Sequence, residues 1–209
     1  MFLKRGQLQI LIANILLILI FLPLAIKKEN YEFVMYIGVI IIFFALIVAT
    51  NKRNNLGNFV LWGLTGWALI HMCGGFVYIN GARLYEIMVL NIIKTESIYL
   101  FRYDQLVHMY GFGVATLIGY DVLKPYLNFN KINWKVLSAL LVLIGMGLGA
   151  LNEVIEFLAV VTVPQTGVGG FYNTAWDLTF NMVGAIIAVI IVNLRKSKCQ
   201  EPYTKASGM

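Results

Sequence analysis

Hydrophobic positions in this chain come in long unbroken blocks, separated by short polar clusters. The first block is residues 8–26, closed by Lys27-Lys28-Glu29-Asn30. The second is residues 31–50, stopped by Asn51-Lys52-Arg53-Asn54-Asn55. The third covers about 57–74 and ends at the pair Gly74-Gly75, a natural helix stop. The fourth covers about 103–123 and ends at Lys124-Pro125, and the fifth about 135–161. The sixth covers about 174–194, before Arg195-Lys196-Ser197-Lys198. About 20 apolar residues cross a bilayer as a helix. The pattern therefore predicts six transmembrane helices in a single domain over 1–209, with a polar cytoplasmic tail at 195–209.

The polar segments refine this. Met1 to Arg5 resembles the start of a signal peptide, but the run after it is too long and lacks a small-residue cleavage site, so an uncleaved helix is expected. Segment 76–102 mixes Arg83, Glu86, Lys94, Glu96 and Arg102 with Tyr, Leu, Ile and Met, which suits an interfacial helix or lid lying on the membrane. Gly145 and Gly149 form a GxxxG pattern that permits close helix packing. Loop 162–173 carries Pro164, Gly167, Gly169 and Gly170 and no charge.

Composition agrees. The chain is 60% apolar and 12% charged, with mean hydropathy +0.79, whereas soluble domains carry about 25% charged residues. The fold class is all-α, polytopic. A net charge of +6 does not point to nucleic acid, because the basic residues sit at the ends of apolar runs. Cys73 and Cys199 fall on opposite sides of this topology and make no disulfide framework.

Charge also sets orientation. Lys4, Arg5, Lys52, Arg53, Lys124, Lys131, Lys135, Arg195, Lys196, Lys198 and Lys205 fall on one side. Lys27, Lys28, Arg83, Lys94 and Arg102 fall on the other. The positive-inside rule then predicts a cell-membrane protein with both termini cytoplasmic, and segment 76–102 outside. At about 1.5 Å per residue, His71, His108, Asn181, Asp104, Glu153, Glu156 and Asp177 all lie roughly 20–32 Å above the cytoplasmic helix ends. Polar residues from four helices thus converge in the outer part of the membrane, where such groups are costly and mark function.

Each has a structural reading to set beside the functional one. Asp104 opens a helix and can serve as a cap facing the positive dipole end. Asp177, in Thr174-Ala175-Trp176-Asp177, resembles part of a capping box. His71 lies near a helix C-terminus, where a cation is favoured. His108 is in register with Asp104, whose hydrogen bond would fix its tautomer as for a ligand or base. Asn181 can be a plain interhelical hydrogen bond. Glu153 and Glu156 resist such readings: they lie near a helix C-terminus where the dipole opposes them, and they oppose each other. Arg83 or Arg102, a bound metal, or a shared proton would have to compensate. Four acids against at most two arginines favour a divalent cation or proton uptake. A histidine with carboxylates suits zinc, manganese or iron, and carboxylates alone suit magnesium or calcium.

The elements Asp104-x-x-x-His108, Glu153 with Glu156, and Asp177-x-x-x-Asn181-x-x-Gly184-Ala185 together resemble the VanZ-like membrane proteins. The longer chain, with His71-Met72-x-Gly74-Gly75 ahead of them, is similar to the YjdF group of bacterial membrane proteins. The resemblance covers about residues 60–190 and departs at Gln105, where the VanZ-like pattern has Lys. It implies a role at the bacterial cell envelope.

Three readings follow. In the first, the chain is an envelope enzyme or lipid-binding protein whose outward site takes a lipid-linked, phosphorylated headgroup. Glu153, Glu156, His108, His71 and Asp177 hold a divalent metal or act as acid and base, and Asp104 orients His108. Arg83, Arg102 and Asn181 contact the headgroup, and segment 76–102 gates access. In the second, it is a small proton- or cation-coupled transporter carrying protons on Glu153 and Glu156. In the third, it is a non-catalytic assembly factor and the cluster ties helices together.

Overall fold

A computed structural model gives the architecture, and it describes residues 4–54, 56–94 and 99–204. Six helices dominate: α1 (Gln7–Lys27), α2 (Tyr31–Asn54), α3 (Asn58–Phe76), α4 (Tyr103–Leu123), α5 (Trp134–Thr162) and α6 (Phe171–Thr204). Each contains a stretch long and apolar enough to cross a membrane. The protein is an all-α, multi-pass membrane protein. Helices are the solution lipid demands, since each backbone N–H must find its acceptor inside the segment. Leu19, Ile42, Phe157 and Val161 project from the helix surfaces, as a lipid-facing surface requires.

Small residues set the closest approaches. A Cβ at Gly184 on α6 would run into the Met109 carbonyl and the Gly113 nitrogen of α4. The two backbones can therefore touch only while that residue is glycine. On α5 the predicted GxxxG pair works as expected: Gly145 lies against Thr116 and Ala185, and Gly149 against the Asn181 amide. Val60, Val114, Leu117, Leu137, Leu141, Ala188, Val189 and Val192 pack the half of α3–α6 away from the site. Ala25, Phe33, Ile37, Met72 and Phe76 join α1, α2 and α3.

The segment between α3 and α4 differs from the interfacial helix that its composition suggested. It forms two antiparallel hairpins, β1 (Tyr78–Ile79) with β2 (Ala82–Arg83) and β3 (Met88–Lys94) with β4 (Tyr99–Arg102). A 3₁₀ turn, Leu84–Glu86, lies between them. The first turn is Asn80-Gly81, both at positive φ (52° and 83°), the pairing a two-residue hairpin favours. Val89, Ile92 and Ile93 suit a strand better than a helix. Glu96 lies outside the described residues.

Two helix ends also differ from expectation. α3 does not stop at Gly74-Gly75; these glycines lie within its last turn, where the rings of Tyr85 and Phe33 rest on them. α6 starts at Phe171, not Thr174, so Asp177 lies well inside the helix and cannot cap it. The expected tail at 195–209 continues α6 as far as Thr204, and 205–209 lie outside the described residues.

Candidate functional site

Three helices supply the centre of the site. α4 brings Asp104 and His108, α5 brings Glu153 and Glu156, and α6 brings Asp177 and Asn181. The start of α4 is fixed by Gln105, whose Oε1 accepts from the backbone N–H groups of Phe101 (2.6 Å) and Arg102 (3.1 Å). Phe101 holds φ at 81° to make that turn. Gln105 therefore serves as the helix cap. Asp104 is left free of capping duty and turns towards the pocket.

His108 is the hub, and it is 6% exposed. Its Nδ1–H donates to Asn181 Oδ1 at 3.1 Å. A carbonyl oxygen can only accept, so Nδ1 carries a proton, and Nε2 is the ring nitrogen turned to the acids. That Nε2 faces Asp104 Oδ1 at 3.8 Å, Glu156 Oε1 at 3.8 Å and Asp177 Oδ1 at 3.9 Å. Glu153 Oε1 lies 3.8 Å from Nδ1. Every one of these carboxylates is close, yet beyond hydrogen-bond length. The expected Asp104–His108 hydrogen bond is not formed; Asn181 orients the ring in its place.

The acids are poorly compensated. Both oxygens of Glu153 and Oδ1 of Asp177 are buried with no partner in hydrogen-bond geometry. Asn173 Nδ2 donates to Asp177 Oδ2 (2.5 Å) and approaches Asp104 Oδ2 (3.4 Å). Asn152 Nδ2 donates to Glu156 Oε1 at 2.7 Å. Sequence reasoning missed both asparagines, although each stands four residues before its acid and shares its helix face.

The cluster forms one side of an open polar pocket. His71, Trp67, Tyr36, Arg83 and Tyr85 line the rest. His71 stacks on Trp67 (ring centroids 5.2 Å, 21°). Tyr85 Oη donates to the His71 carbonyl (3.0 Å), so His71 Nδ1 donates to Oη (2.5 Å). Burial pushes the Tyr85 phenol well above its ordinary range and keeps it protonated. His71 thus lines the pocket with Nε2 as its acceptor, outside the ligand groups described below.

The loop after α5 and the first hairpin close over this pocket through a residue sequence reasoning did not flag. Glu32, 5% exposed at the start of α2, accepts from the Gly167 N–H at 2.7 Å and pairs with Arg83 Nη1 at 3.7 Å. Arg83 is therefore in the pocket, with part of its charge engaged. Arg102, also expected to reach a headgroup, is the N-cap residue of α4 and is not part of the pocket wall.

Two overlapping sets have the geometry to hold a cation: Asp104, His108 and Asp177, and His108, Glu153 and Glu156. Within each, one ligand atom per residue lies within 4.8 Å of the others. Such a constellation can bind a divalent ion, polarise a phosphoryl oxygen, or move protons between carboxylates.

Among known proteins, the family model described as "Predicted membrane protein (DUF2238)" matches residues 8–198. No curated protein and no solved structure matches.

Proposed function

The chain belongs to the DUF2238 family of predicted membrane proteins, and on that premise we propose that it is a cell-envelope protein whose intramembrane site binds a divalent cation and, through it, a lipid-linked phosphorylated headgroup. The observation that carries this reading is the His108 ring. Its Nε2 faces three carboxylate oxygens from three helices at 3.8–3.9 Å. With Glu153, four carboxylates surround the ring, more negative charge than one imidazole offsets even when protonated, and buried charge is tolerated only when paired or metal-bound. The orphaned oxygens of Glu153 and Asp177 are the same demand seen from the acids. One imidazole with carboxylates suits zinc, manganese or iron. A cation held by these residues would supply polarisation of a phosphoryl oxygen, and a carboxylate left outside its ligand set would serve as acid or base.

The lysine and arginine distribution supports a site facing outward, with both termini in the cytoplasm. The VanZ-like resemblance supports the envelope as its place of work. Transport fits less well: beyond the site, α3–α6 are closed by the apolar cluster around Leu117, Leu141 and Val189.

Elemental analysis of the purified full chain is the test. About one divalent ion per chain is expected, falling sharply in Asp177→Asn. Absence of metal from wild type, with Asp177→Asn and Glu153→Gln more stable than wild type, overturns the reading in favour of a structural cluster or proton carrier.

A further inference from the structure

A second cavity lies directly below the polar pocket. Its volume is about 270 Å³, and α2 and α5 form its walls over a floor of α3 and α4. Its lining is almost wholly apolar, with Val39, Ile40, Phe43, Phe44, Ile47 and Leu151 along the two walls. The two cavities adjoin. Tyr36, Trp67, His71, Phe112, Asn152 and Glu156 line both. α2 and α5 do not pack closely together, and the cavity lies between them, on a part of both helices that a bilayer would surround.

We propose that this cavity seats one hydrocarbon chain of the lipid whose phosphorylated headgroup the polar pocket takes. The proposal rests on the functional reading above. Length is the first argument. Along α2 the cavity runs from Tyr36 to Ile47, which at 1.5 Å per residue is roughly 16 Å. One leaflet of a hydrocarbon core about 30 Å thick is about the same depth. The groove thus reaches from the headgroup site to the middle of the membrane, the span of one chain. Surroundings are the second. An apolar cavity open to a bilayer fills with hydrocarbon, because water has no polar partner there. Adjacency is the third: the chain and the headgroup of one molecule occupy the apolar and polar cavities at once, with Trp67 and Glu156 lining both.

The test uses the metal-loaded full chain in phosphatidylcholine nanodiscs with butyl phosphate and decyl phosphate as probes. Binding is measured for wild type and for Ala115→Phe, which fills the cavity from its floor. Leu151→Trp, from the opposite wall, is the second variant should the first fail to fold. Partitioning of the probe into the disc is common to all three proteins, so the decyl-to-butyl affinity ratio is compared between them. Wild type is expected to show a ratio at least tenfold higher than either variant, with metal content and butyl phosphate binding unchanged. An equal ratio in wild type and variants overturns the proposal while leaving the headgroup site standing. Loss of butyl phosphate binding by metal-loaded wild type instead overturns the functional reading on which it rests. Equal affinity for decanol and decyl phosphate also overturns it, and makes the groove a seat for any bilayer chain.

Discussion

His108 Nδ1 donates to Asn181 Oδ1 at 3.1 Å, while Asp104, one turn before His108 on the same helix, stands 3.8 Å from Nε2. The ring is therefore oriented from α6, and its Nε2 turns towards the acids. Removing the partner that orients a ligating histidine typically costs 10–100-fold in metal affinity. Asn181→Ala is expected to lose about that much, measured by chelator competition, with helix content unchanged. Asp104→Asn is expected to remove a ligand without altering the ring orientation.

Metal binding should also depend on acidity. Imidazole and carboxylates ligate only after losing their protons, so metal displaces protons and its affinity falls as pH is lowered. Metal occupancy followed from neutral pH downwards should decline steadily as protons compete for His108 and the carboxylates. Flat occupancy down to the point of unfolding would argue against His108 as a ligand.

The α4–α6 contact can be tested apart from the chemistry. Gly184→Ala drives a methyl into the Met109 carbonyl, a backbone atom that cannot move aside. Overpacking of this kind costs about 1–3 kcal/mol, and here it also parts His108 from Asp177 and Asn181. Gly147 has nothing within 4 Å of an added Cβ. Gly147→Ala should leave both thermal stability and metal content unchanged.

Glu32 ties the loop at Gly167 and the hairpin at Arg83 to α2. Glu32→Ala removes the carboxylate that accepts from the Gly167 N–H, and a hydrogen bond to a charged group contributes about 1.5–3 kcal/mol. Faster hydrogen exchange at Gly167 and in β2 is expected. Unchanged exchange would mean that the two segments are held by other contacts.

Much of the fold was legible because lipid makes it so. Six apolar runs gave six helices within a few residues of their observed ends, except that α6 runs on to Thr204, and counting from those ends brought His108, Glu153, Glu156 and Asp177 to one depth. Side-chain partners were less legible. In a helix surrounded by lipid, apolar residues cover every face, so no stripe reveals which side of α6 meets α4. That is why Asp177 read as a cap and Asp104 as the partner of His108. The hairpins carried a signal that went unused, Asn80-Gly81 between apolar residues. Glu32 could not have been singled out, because its partners Arg83 and Gly167 are distant in sequence and joined only by the fold.

The most direct measurement is anomalous scattering, at the absorption edge of the metal found in the purified protein, from crystals of the full chain. A peak within bonding distance of His108 Nε2 and of Asp104, Asp177 or Glu156 carboxylate oxygens is predicted. No peak there, with Nε2 hydrogen-bonded directly to one of these carboxylates, would contradict the account.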